Sequence, residues 1–308
     1  MIGIKDIGIY IPDVRVNNLD KAERHQVKKD FIENKVGIVS VARKEPQQLS
    51  SDLCVFAYQD LQEKEESLDG NEIDFLCVCT QNEDYQLPQT SAIVQAKLGL
   101  STQVAAFDIS LGCSGYVYAL HISKDFMEAN GLERGLLFTS DPYSDIVDPN
   151  DKNTDLIFGD AATVTLLTKD PKFEIGKGAF VTDGSAYEKL IKRKDEYLYM
   201  DGRGIFNFVM RTTPSVVESC LQKNNAVNED VDVFIFHQAS KYVIENLARR
   251  MKIAEDKVPF TIAEYGNTVS SSIPIILERY LGSTSEQNII ICGFGVGLSL
   301  AASLVRRV

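Results

Sequence analysis

The most restrictive feature of the sequence is an internal repeat. Four segments of the first half recur in the same order in the second: residues 74–79 with 232–237, 107–115 with 261–269, 133–139 with 286–292, and 159–167 with 295–305. In the second pair, Cys113 aligns with Asn267. One pair of similar apolar strands would carry little information, whereas four pairs in one order indicate a duplicated structural unit. The sequence therefore predicts two similar halves, residues 1–170 and 171–308.

Each half alternates short apolar runs with amphipathic stretches. The apolar runs lie at 73–80, 103–110, 134–140, 231–238 and 287–294. Amphipathic stretches such as TSAIVQAKLGL and KYVIENLARRMKI lie between them. Strands that alternate with helices are typical of an α/β fold with buried sheets. A single doubly wound sheet with coincidentally similar strands is the alternative, but it does not explain why candidate reactive residues fall at repeat-equivalent positions.

The balance of charge argues against two classes of partner. The 308 residues carry a formal net charge of -12, so the field of the whole molecule repels nucleic acid and anionic membranes. No run of about 18 apolar residues occurs, as a membrane-spanning helix would need. The segment MIGIKDIGIYIPDVRV lacks the pattern of a secretory signal. We therefore expect a cytoplasmic protein that binds neither nucleic acid nor membrane.

The cysteines do not form a metal-binding pattern. Six cysteines are spread through the chain, and only Cys77 and Cys79 are close together. That pair lies in FLCVCT, which reads as a buried strand rather than a loop with paired ligand spacing. The chain has only three histidines, so we expect no metal site. Most of the thiols are expected to act as small core residues in a reducing compartment.

Cys113 is the first candidate for chemistry. It lies in DISLGCSGYVYAL, between an apolar strand and a helix. A cysteine at a helix N-terminus feels the positive end of the helix macrodipole, which favours thiolate over thiol. Gly112 and Gly115 permit a sharp turn and a close approach of substrate to the backbone. The alternative is a buried structural thiol, and the local sequence does not decide between the two.

His237 and Asn267 are the other candidates. His237 lies at the end of the apolar strand in FIFHQAS, and Asn267 lies in the Gly-Asn turn of EYGNTVSSSIPIIL. Taken singly, each is more often structural, and an asparagine tolerates a left-handed turn. Cysteine, histidine and asparagine also occur together in papain-like proteases, which perform acyl transfer. Those proteases place the cysteine near the mature N-terminus in a different local sequence, so the set here belongs to a different, duplicated fold.

A set of six motifs runs along the whole chain, from residue 1 to 308. In order they are NKVGI, LGCSGYVYAL, DKNTDLIFGDAATVTLL, FHQAS, YGNTVSSSIPIIL and GFGVGLSLAASLV. They resemble the R-T-G-I, cysteine, F-G-D-G-A, H-Q-A-N, G-N-T-S-A-A-S-I-P and G-F-G-G-G motifs of the β-ketoacyl-acyl carrier protein (ACP) synthase III family. Any one motif is weak, but the set in this order is specific.

The resemblance implies a thiolase fold, in which two pseudo-symmetric βαβ-type halves form five α-β-α-β-α layers, and a homodimer. It implies that Cys113 takes an acyl group from an acyl-CoA or acyl-ACP. A malonyl-type thioester, expected to be malonyl-ACP, then loses carbon dioxide and attacks the acyl group to give a β-ketoacyl thioester. His237 and Asn267 would donate hydrogen bonds to the enolate oxygen, and the backbone at Gly295 and Gly297 would serve the acyl-transfer oxyanion. No cofactor is required.

The chain departs from the family at positions that bind substrate. Phe31 stands near the family's Trp, Lys35 and Lys152 stand near Arg residues, and Ser240 and Tyr242 stand where Asn and Arg are usual. In the family those residues help to bind the CoA adenine and phosphates or to dock carrier protein. The departures put standard CoA recognition in doubt. Both the donor carrier, CoA or ACP, and the pathway, fatty-acid initiation or a specialised product, stay open.

Further residues are candidates for binding substrate or partner. Phe206 is a candidate for the substrate pocket. Leu87 precedes Pro88, where relatives place a residue that crosses the dimer interface and limits the partner's acyl pocket. Two basic groups could meet an acidic carrier protein, or could simply be solvated helix faces: Lys189, Lys192, Arg193 and Lys194, and Arg249, Arg250 and Lys252.

Two other functions are compatible with the same fold. An acyltransferase would move the acyl group from Cys113 to an amine or alcohol without forming a carbon–carbon bond, but such relatives tend to lose parts of the His/Asn pair. A non-catalytic partner subunit of a heterodimer usually lacks the nucleophile or its helpers. Because this chain keeps Cys113, His237 and Asn267, the condensing enzyme is the favoured interpretation.

Overall fold

Thirteen strands and seven α-helices alternate along the chain, and the computed structural model describes residues 1–308. The strands are β1 (Gly3–Tyr10), β2 (Arg15–Asn17), β3 (Ser40–Ala42), β4 (Phe75–Cys79), β5 (Ala105–Ile109), β6 (Arg134–Ser140), β7 (Ala162–Thr168), β8 (Phe173–Thr182), β9 (Leu190–Lys192), β10 (Leu198–Met200), β11 (Val233–Phe236), β12 (Asn288–Gly295) and β13 (Ser299–Arg307). The helices are α1 (Ser50–Lys64), α2 (Thr90–Leu98), α3 (Gly115–Asn130), α4 (Lys152–Asp155), α5 (Gly202–Lys223), α6 (Lys241–Met251) and α7 (Ser272–Leu281). None of these helices combines the length and the apolar character needed to cross a lipid bilayer.

The repeat in the sequence corresponds to a repeat in the main sheet. Nine strands are arranged in the order β11-β12-β13-β8-β1-β7-β6-β4-β5. Counted outward from the centre, β1-β7-β6-β4 and β8-β13-β12-β11 have the same directions: two antiparallel pairs followed by a parallel one. The two parts meet at β1 and β8, which share only the pairs Gly3 with Glu174 and Ile4 with Phe173. The chain boundary at residue 170 stays a prediction.

Helices α3 and α7 lie between the two parts of the sheet. Tyr116 and Leu120 of α3, with Ile273 and Ile276 of α7, are fully buried in one cluster with residues of both parts. Helices α1 and α2 pack on the outer face of the N-terminal part, and α5 and α6 pack on the outer face of the C-terminal part. Each sheet part is thus covered by helices on both faces, which confirms the five-layered α-β-α-β-α fold predicted from the sequence.

Strand β4 shows why the predicted strands are apolar throughout. Successive side chains of a strand point to opposite faces of the sheet. Phe75, Cys77 and Cys79 face the central helices, whereas Leu76 and Val78 face the outer helices. Because both faces are covered, every position of the strand must be apolar. The Cys77 and Cys79 pair therefore belongs to the core, as the sequence predicted.

The repeat is imperfect in one place that matters for the site. Strand β5, which leads to Cys113, has no counterpart in the C-terminal part. Residues 262–264 form a 3₁₀ turn there, and Asn267 makes only an isolated bridge. The backbone of this segment pairs with a distant part of the chain and not with a strand of the main sheet, since the N–H of Val39 donates to the carbonyl of Ala263. The predicted equivalence of the two turns therefore holds for the helices that follow, α3 and α7, but not for a strand before Asn267.

Candidate active site

Cys113 lies in the tight turn between β5 and α3, with Gly112 and Gly115 beside it. A side chain at residue 115 would collide with Cys79 in strand β4, and one at residue 112 would displace the Gln81 side chain, so glycine fits this turn best. The Cys113 side chain is 5% exposed and lines a cavity of about 130 Å³.

The same cavity, called the thiol cavity below, also contains His237 and Asn267. His237 directly follows β11, and Asn267 lies in the segment that leads into α7. Both side chains are buried, and His237 is only 1% exposed. Most of the remaining lining is apolar. Three residues far apart in the sequence thus meet in one place, where a thiol, an imidazole and a carboxamide face a dry space.

Hydrogen bonds hold His237 and Asn267 in orientation. The Nδ1 atom of His237 lies 2.7 Å from Oγ of Ser272, and its Nε2 atom lies 3.4 Å from Nδ2 of Asn267. The backbone N–H of Val269 donates to Oδ1 of Asn267 at 2.9 Å, so the NH₂ group of the amide faces the histidine. The Ser272 hydroxyl in turn donates to the carbonyl of Val269 at 3.0 Å. Ser272 therefore holds the ring so that Nε2 faces Asn267 and the cavity.

Burial determines the protonation of both the thiol and the imidazole. Burial lowers the pKa of His237 to about 3, so the ring is neutral at neutral pH. Burial raises the pKa of Cys113 to about 12, with a further contribution from the charge of Asp141, while the N–H of Val296 opposes the increase. The thiol of the free protein is therefore protonated. Loss of hydration outweighs the helix N-terminus, on which the sequence-based expectation of a thiolate rested.

We expect the alkylation of Cys113 in the free protein to accelerate with pH without a plateau between about pH 6 and pH 9. Because the thiol pKa lies above this range, the reactive thiolate fraction grows about tenfold for each pH unit. Mass-spectrometric rates of iodoacetamide labelling at Cys113 measure this dependence. A plateau near pH 7 would contradict it, since that would show a thiolate already formed. The Cys113→Ala variant supplies the background from the other five thiols.

The end of strand β12 brings backbone amides close to the sulfur of Cys113. A Cβ atom at residue 295 would lie 2.8 Å from Sγ of Cys113, so Gly295 allows the strand end to touch the thiol. The backbone N–H groups of Val296 and of Cys113 itself act to lower the pKa of the thiol. Gly297 lines a neighbouring cavity instead. The oxyanion role of Gly295 and Gly297 stays a prediction, and the N–H of Val296 between them is a further candidate for it.

Comparison with known proteins identifies the family of the chain. Two family models match the chain: 3-oxoacyl-[acyl-carrier-protein (ACP)] synthase III over residues 107–184, and the C-terminal part of the same family over residues 221–307. A β-ketoacyl-[acyl-carrier-protein] synthase III from Streptococcus gordonii is 31% identical over 326 residues, which covers 98% of either chain. The chain belongs to the β-ketoacyl-ACP synthase III family.

Solved structures of β-ketoacyl-ACP synthase III enzymes share the whole fold. A crystal structure of a 3-oxoacyl-(acyl-carrier-protein) synthase III superposes with a TM-score of 0.93 at 32% identity, covering 99% of each chain. The enzyme from Aquifex aeolicus superposes with a TM-score of 0.92 at 29% identity, covering 99% of this chain and 100% of that one. The family resemblance seen in the motifs is therefore confirmed over the full length.

Several of the departures from the β-ketoacyl-ACP synthase III pattern lie in or beside the thiol cavity, and Ser240 lines it. Phe206 lines the cavity, as predicted for a substrate-binding residue, and its ring lies 5.3 Å from that of Tyr242. The Nζ atom of Lys35 lies 5.4 Å from the centre of the Tyr242 ring and 5.7 Å from that of Phe31. Phe206, Tyr242 and Phe31 thus form an aromatic rim with one cation, Lys35, beside the thiol cavity. Phe31 and Lys35 lie at this rim, not within the cavity.

Two other predicted substrate residues lie outside the thiol cavity. Lys152 is the exposed first residue of α4. Leu87 is 85% exposed and does not line the cavity of its own chain. The prediction that Leu87 reaches a partner's acyl pocket, like the binding role of Lys152, stays a prediction.

Asp141 is a buried residue that the sequence did not single out. It follows β6, and its carboxylate accepts hydrogen bonds from the N–H of Gln81 at 2.7 Å and from the hydroxyl and N–H of Ser270. Burial raises its pKa to about 6. Ser270 lies between Asn267 and Ser272 in the chain. Its hydrogen bonds to Asp141 therefore fasten the turn that carries Asn267 and Ser272 to the end of strand β6. Its sequence context, TSDPYSD, is also that of an ordinary solvated turn.

Proposed function

We propose that this protein is a condensing enzyme that loads an acyl group on Cys113 and joins it to a malonyl thioester, expected to be malonyl-ACP. The observation that carries the proposal is the meeting of Cys113, His237 and Asn267 in one buried, mostly apolar cavity. A dry site strengthens every hydrogen bond that is aimed at developing charge. The family membership supports the same reaction class.

The first half-reaction is a thioester exchange at Cys113. The sulfur attacks the acyl carbonyl, the bond from that carbon to the carrier sulfur breaks, and the thiol proton passes to the departing carrier thiol. The transient oxyanion is stabilised by the N–H groups of Val296 and Cys113, which already face the sulfur. The product is an acyl-enzyme.

The second half-reaction uses His237 and Asn267. The carboxylate of the malonyl group leaves as carbon dioxide, and its bonding electrons form an enolate on the thioester. The Nε2–H of His237 and the Nδ2–H of Asn267 donate to that enolate oxygen; one such preorganised donor is worth roughly 3–4 kcal/mol. The enolate carbon then attacks the acyl carbonyl, the bond to Cys113 breaks, and the thiol is restored by a proton. This balance requires neither a metal ion nor a redox cofactor.

A carrier protein would dock beside the mouth of the thiol cavity. Helix α6 begins at Lys241, next to the rim residue Tyr242, and its last turn carries Arg249 and Arg250, followed by Lys252. These three cations are exposed and have no carboxylate within ion-pair distance. At 1.5 Å per residue they lie about 10 Å along the helix from the rim. In a chain of net charge -12, such a group favours an acidic partner such as ACP.

The second predicted basic group is less available. Lys189 pairs with Asp201 at 3.3 Å, and Arg193 lies near Glu188 and Glu196. Those carboxylates reduce the positive field that a carrier protein would meet. We therefore assign the docking role to the end of α6.

The proposed assembly is a cytoplasmic homodimer. Strand β5 lies at the end of the main sheet, and all five of its residues are only half-buried. An edge strand with apolar side chains such as Phe107 and Ile109 is a template for pairing with another strand. Two copies that pair through β5 would cover this edge. The exposed Leu87 lies in the loop before α2, the helix that packs on β5.

The test of the proposed function is a complete turnover of the purified protein. An acyl donor is offered on CoA and, separately, on ACP, and malonyl-ACP is then added. We expect an acyl mass on the protein, release of carbon dioxide, and a β-ketoacyl-ACP detected by mass spectrometry. Acyl loading followed by transfer to an amine or alcohol without carbon dioxide would identify the alternative acyltransferase. No acyl mass from any donor would identify a non-catalytic subunit.

A further inference from the structure

Helix α3 begins beside the nucleophile with a serine that does not cap it. Ser114 occupies the N-cap position of α3, where a serine side chain usually accepts a hydrogen bond from an N–H of the first turn. The side chain of Ser114 makes no such bond, and the residue is only 1% exposed. Its buried hydroxyl must therefore be satisfied by another part of the chain.

The partner of Ser114 is Ser299, the first residue of strand β13. The two Oγ atoms lie 2.5 Å apart, and the hydroxyl of Ser299 donates to the carbonyl of Val296 at 2.8 Å. Because a hydroxyl carries a single proton, Ser114 must be the donor in the contact between the two serines. A directed chain of two hydrogen bonds thus runs from Ser114 through Ser299 to Val296. Ser114 and Ser299 are called the serine pair below.

The serine pair spans a close contact between the turn that carries Cys113 and the end of strand β12. A Cβ atom at Gly293 would lie 2.6 Å from the carbonyl oxygen of Cys113 and 2.7 Å from Cα of Ser114. A Cβ atom at Gly295 would lie 2.8 Å from Sγ of Cys113. The two backbones therefore touch without side chains between them. The serine pair holds this contact one residue beyond Gly295, at Val296.

The first half-reaction depends on how Val296 is held. When the Cys113 sulfur attacks a thioester, the oxyanion forms on the acyl carbon that is bonded to this sulfur. A donor stabilises the oxyanion most when it is in place before the reaction, because it then needs no reorganisation. The N–H and the carbonyl of Val296 belong to the two peptide planes that meet at its Cα. A hydrogen bond at the carbonyl therefore restrains the residue that carries the N–H.

We propose that Ser114 and Ser299 are positioning residues for the thioester exchange, in which they hold the amide of Val296 beside the Cys113 sulfur as an oxyanion donor. This inference rests on the proposed function and identifies residues that govern its first half-reaction. Neither serine lines the thiol cavity, and both act through Val296. The second half-reaction uses His237 and Asn267, to which the serine pair has no hydrogen bond.

The first experiment compares the two half-reactions in Ser299→Ala. Loading of Cys113 is followed by intact-mass spectrometry with acetyl and octanoyl thioesters, each on CoA and on ACP. We expect loading to slow by about tenfold or more, up to the 10²- to 10³-fold cost of removing an oxyanion donor. The release of carbon dioxide from malonyl-ACP is measured on protein that has first been fully acylated, and its rate stays at the wild-type value. An unchanged rate of loading overturns the proposal.

Ser114→Ala tests the direction of the hydrogen-bond chain. This variant keeps the bond from Ser299 to Val296, so loading slows less than in Ser299→Ala. The double variant loads no more slowly than Ser299→Ala, because Ser114 acts only through Ser299. A double variant that is clearly slower would show that Ser114 acts by another route, which contradicts the proposed chain.

A second readout does not depend on enzymatic activity. The backbone N–H of Val296 lowers the pKa of the Cys113 thiol, so displacement of this N–H raises that pKa. Iodoacetamide at pH 8 is therefore expected to label Cys113 about threefold more slowly in Ser299→Ala than in the wild-type protein, because the thiolate fraction is smaller. A turn that had merely loosened would expose the sulfur and accelerate labelling. Faster labelling would therefore count against a positioning role.

Ser303 provides the matched control. It lies on the same strand and the same face as Ser299, is fully buried, and its Oγ atom lies 3.0 Å from Nε2 of His121 in α3. Ser303→Ala removes the same atom without touching the link to Val296, so loading and labelling stay at their wild-type rates. Thermal unfolding shows that each variant is folded. Equal slowing in Ser303→Ala and Ser299→Ala would make the effect structural and would overturn the proposal.

The failure of this proposal is distinguishable from the failure of the proposed function. If the wild-type protein gains no acyl mass from any donor, the proposed function fails, and the oxyanion role of the serine pair fails with it. If the wild-type protein loads and condenses but Ser299→Ala loads equally fast, the condensing function stands and the serine pair does not position the amide of Val296.

Discussion

Replacing Cys113 by alanine abolishes acyl-enzyme formation. The thiol is the strongest nucleophile in the thiol cavity, because His237 is held at Ser272 and the Ser240 hydroxyl caps α6. Methyl in place of thiol leaves His237, Asn267 and the apolar lining in position. We therefore expect the gain in mass that follows incubation with acyl-CoA or acyl-ACP to vanish, and β-ketoacyl-ACP to fall to the background of the assay.

Another buried cysteine provides the matched control. Cys220, in α5, is fully buried in the core on the outer side of the C-terminal sheet part and does not line the thiol cavity. Cys220→Ala removes the same atom from the core and keeps acyl loading. Thermal unfolding of both variants shows that each is folded. An acyl mass that persists in the folded Cys113→Ala variant would move the nucleophile elsewhere.

Much of the fold could be predicted from the sequence because the strands are covered on both faces. In β4 and β11 every residue is buried, so each strand reads as a continuous apolar run bounded by polar turns. The four repeated segments also predicted the topology, because each corresponds to a strand or a strand-to-helix turn that has an equivalent in the other part of the sheet. The exception is the segment before Asn267, where pairing with Val39 replaced the expected strand. Such pairing between distant segments leaves no local pattern.

The meeting of Cys113, His237 and Asn267 was also predictable, but their electrostatic state was not. The helix N-terminus near Cys113 is visible in the sequence, whereas the complete burial that raises its pKa depends on packing against the distant Gly295. The same holds for the contact between Ser272 and Nδ1 of His237, because it depends on how α7 packs against β11.

Val296 and Asp141 show a further limit of the sequence. The glycines around Val296 indicated that this segment could supply an oxyanion amide. Which N–H points at the sulfur, however, depends on backbone torsions that glycine leaves free. Asp141 lies at the end of a strand, like many solvated aspartates, and only the structure shows it bound to Gln81 and Ser270. Recognition of a buried carboxylate requires knowing which loops cover it.

Removing His237 or Asn267 is expected to separate the two half-reactions. In His237→Ala and in Asn267→Ala, Cys113 and the amide of Val296 remain, so an acyl-enzyme still forms. Each variant lacks one of the two donors to the enolate oxygen, and loss of one such donor slows the step by about 10²- to 10³-fold. Acyl mass on the protein measures the first half-reaction, and carbon dioxide from malonyl-ACP measures the second.

The controls for this pair are a histidine and an asparagine outside the thiol cavity. His121 bonds Ser303 from α3, and Asn246 is on α6 with its amide bonded to the carbonyl of Tyr242. Alanine at either position leaves the ratio of the two half-reactions at the wild-type value. Unchanged carbon dioxide release in His237→Ala or Asn267→Ala would remove that residue from the mechanism. Loss of acylation as well as decarboxylation would mean that the same side chains serve both oxyanions, since the N–H groups of Val296 and Cys113 would then be insufficient for the first.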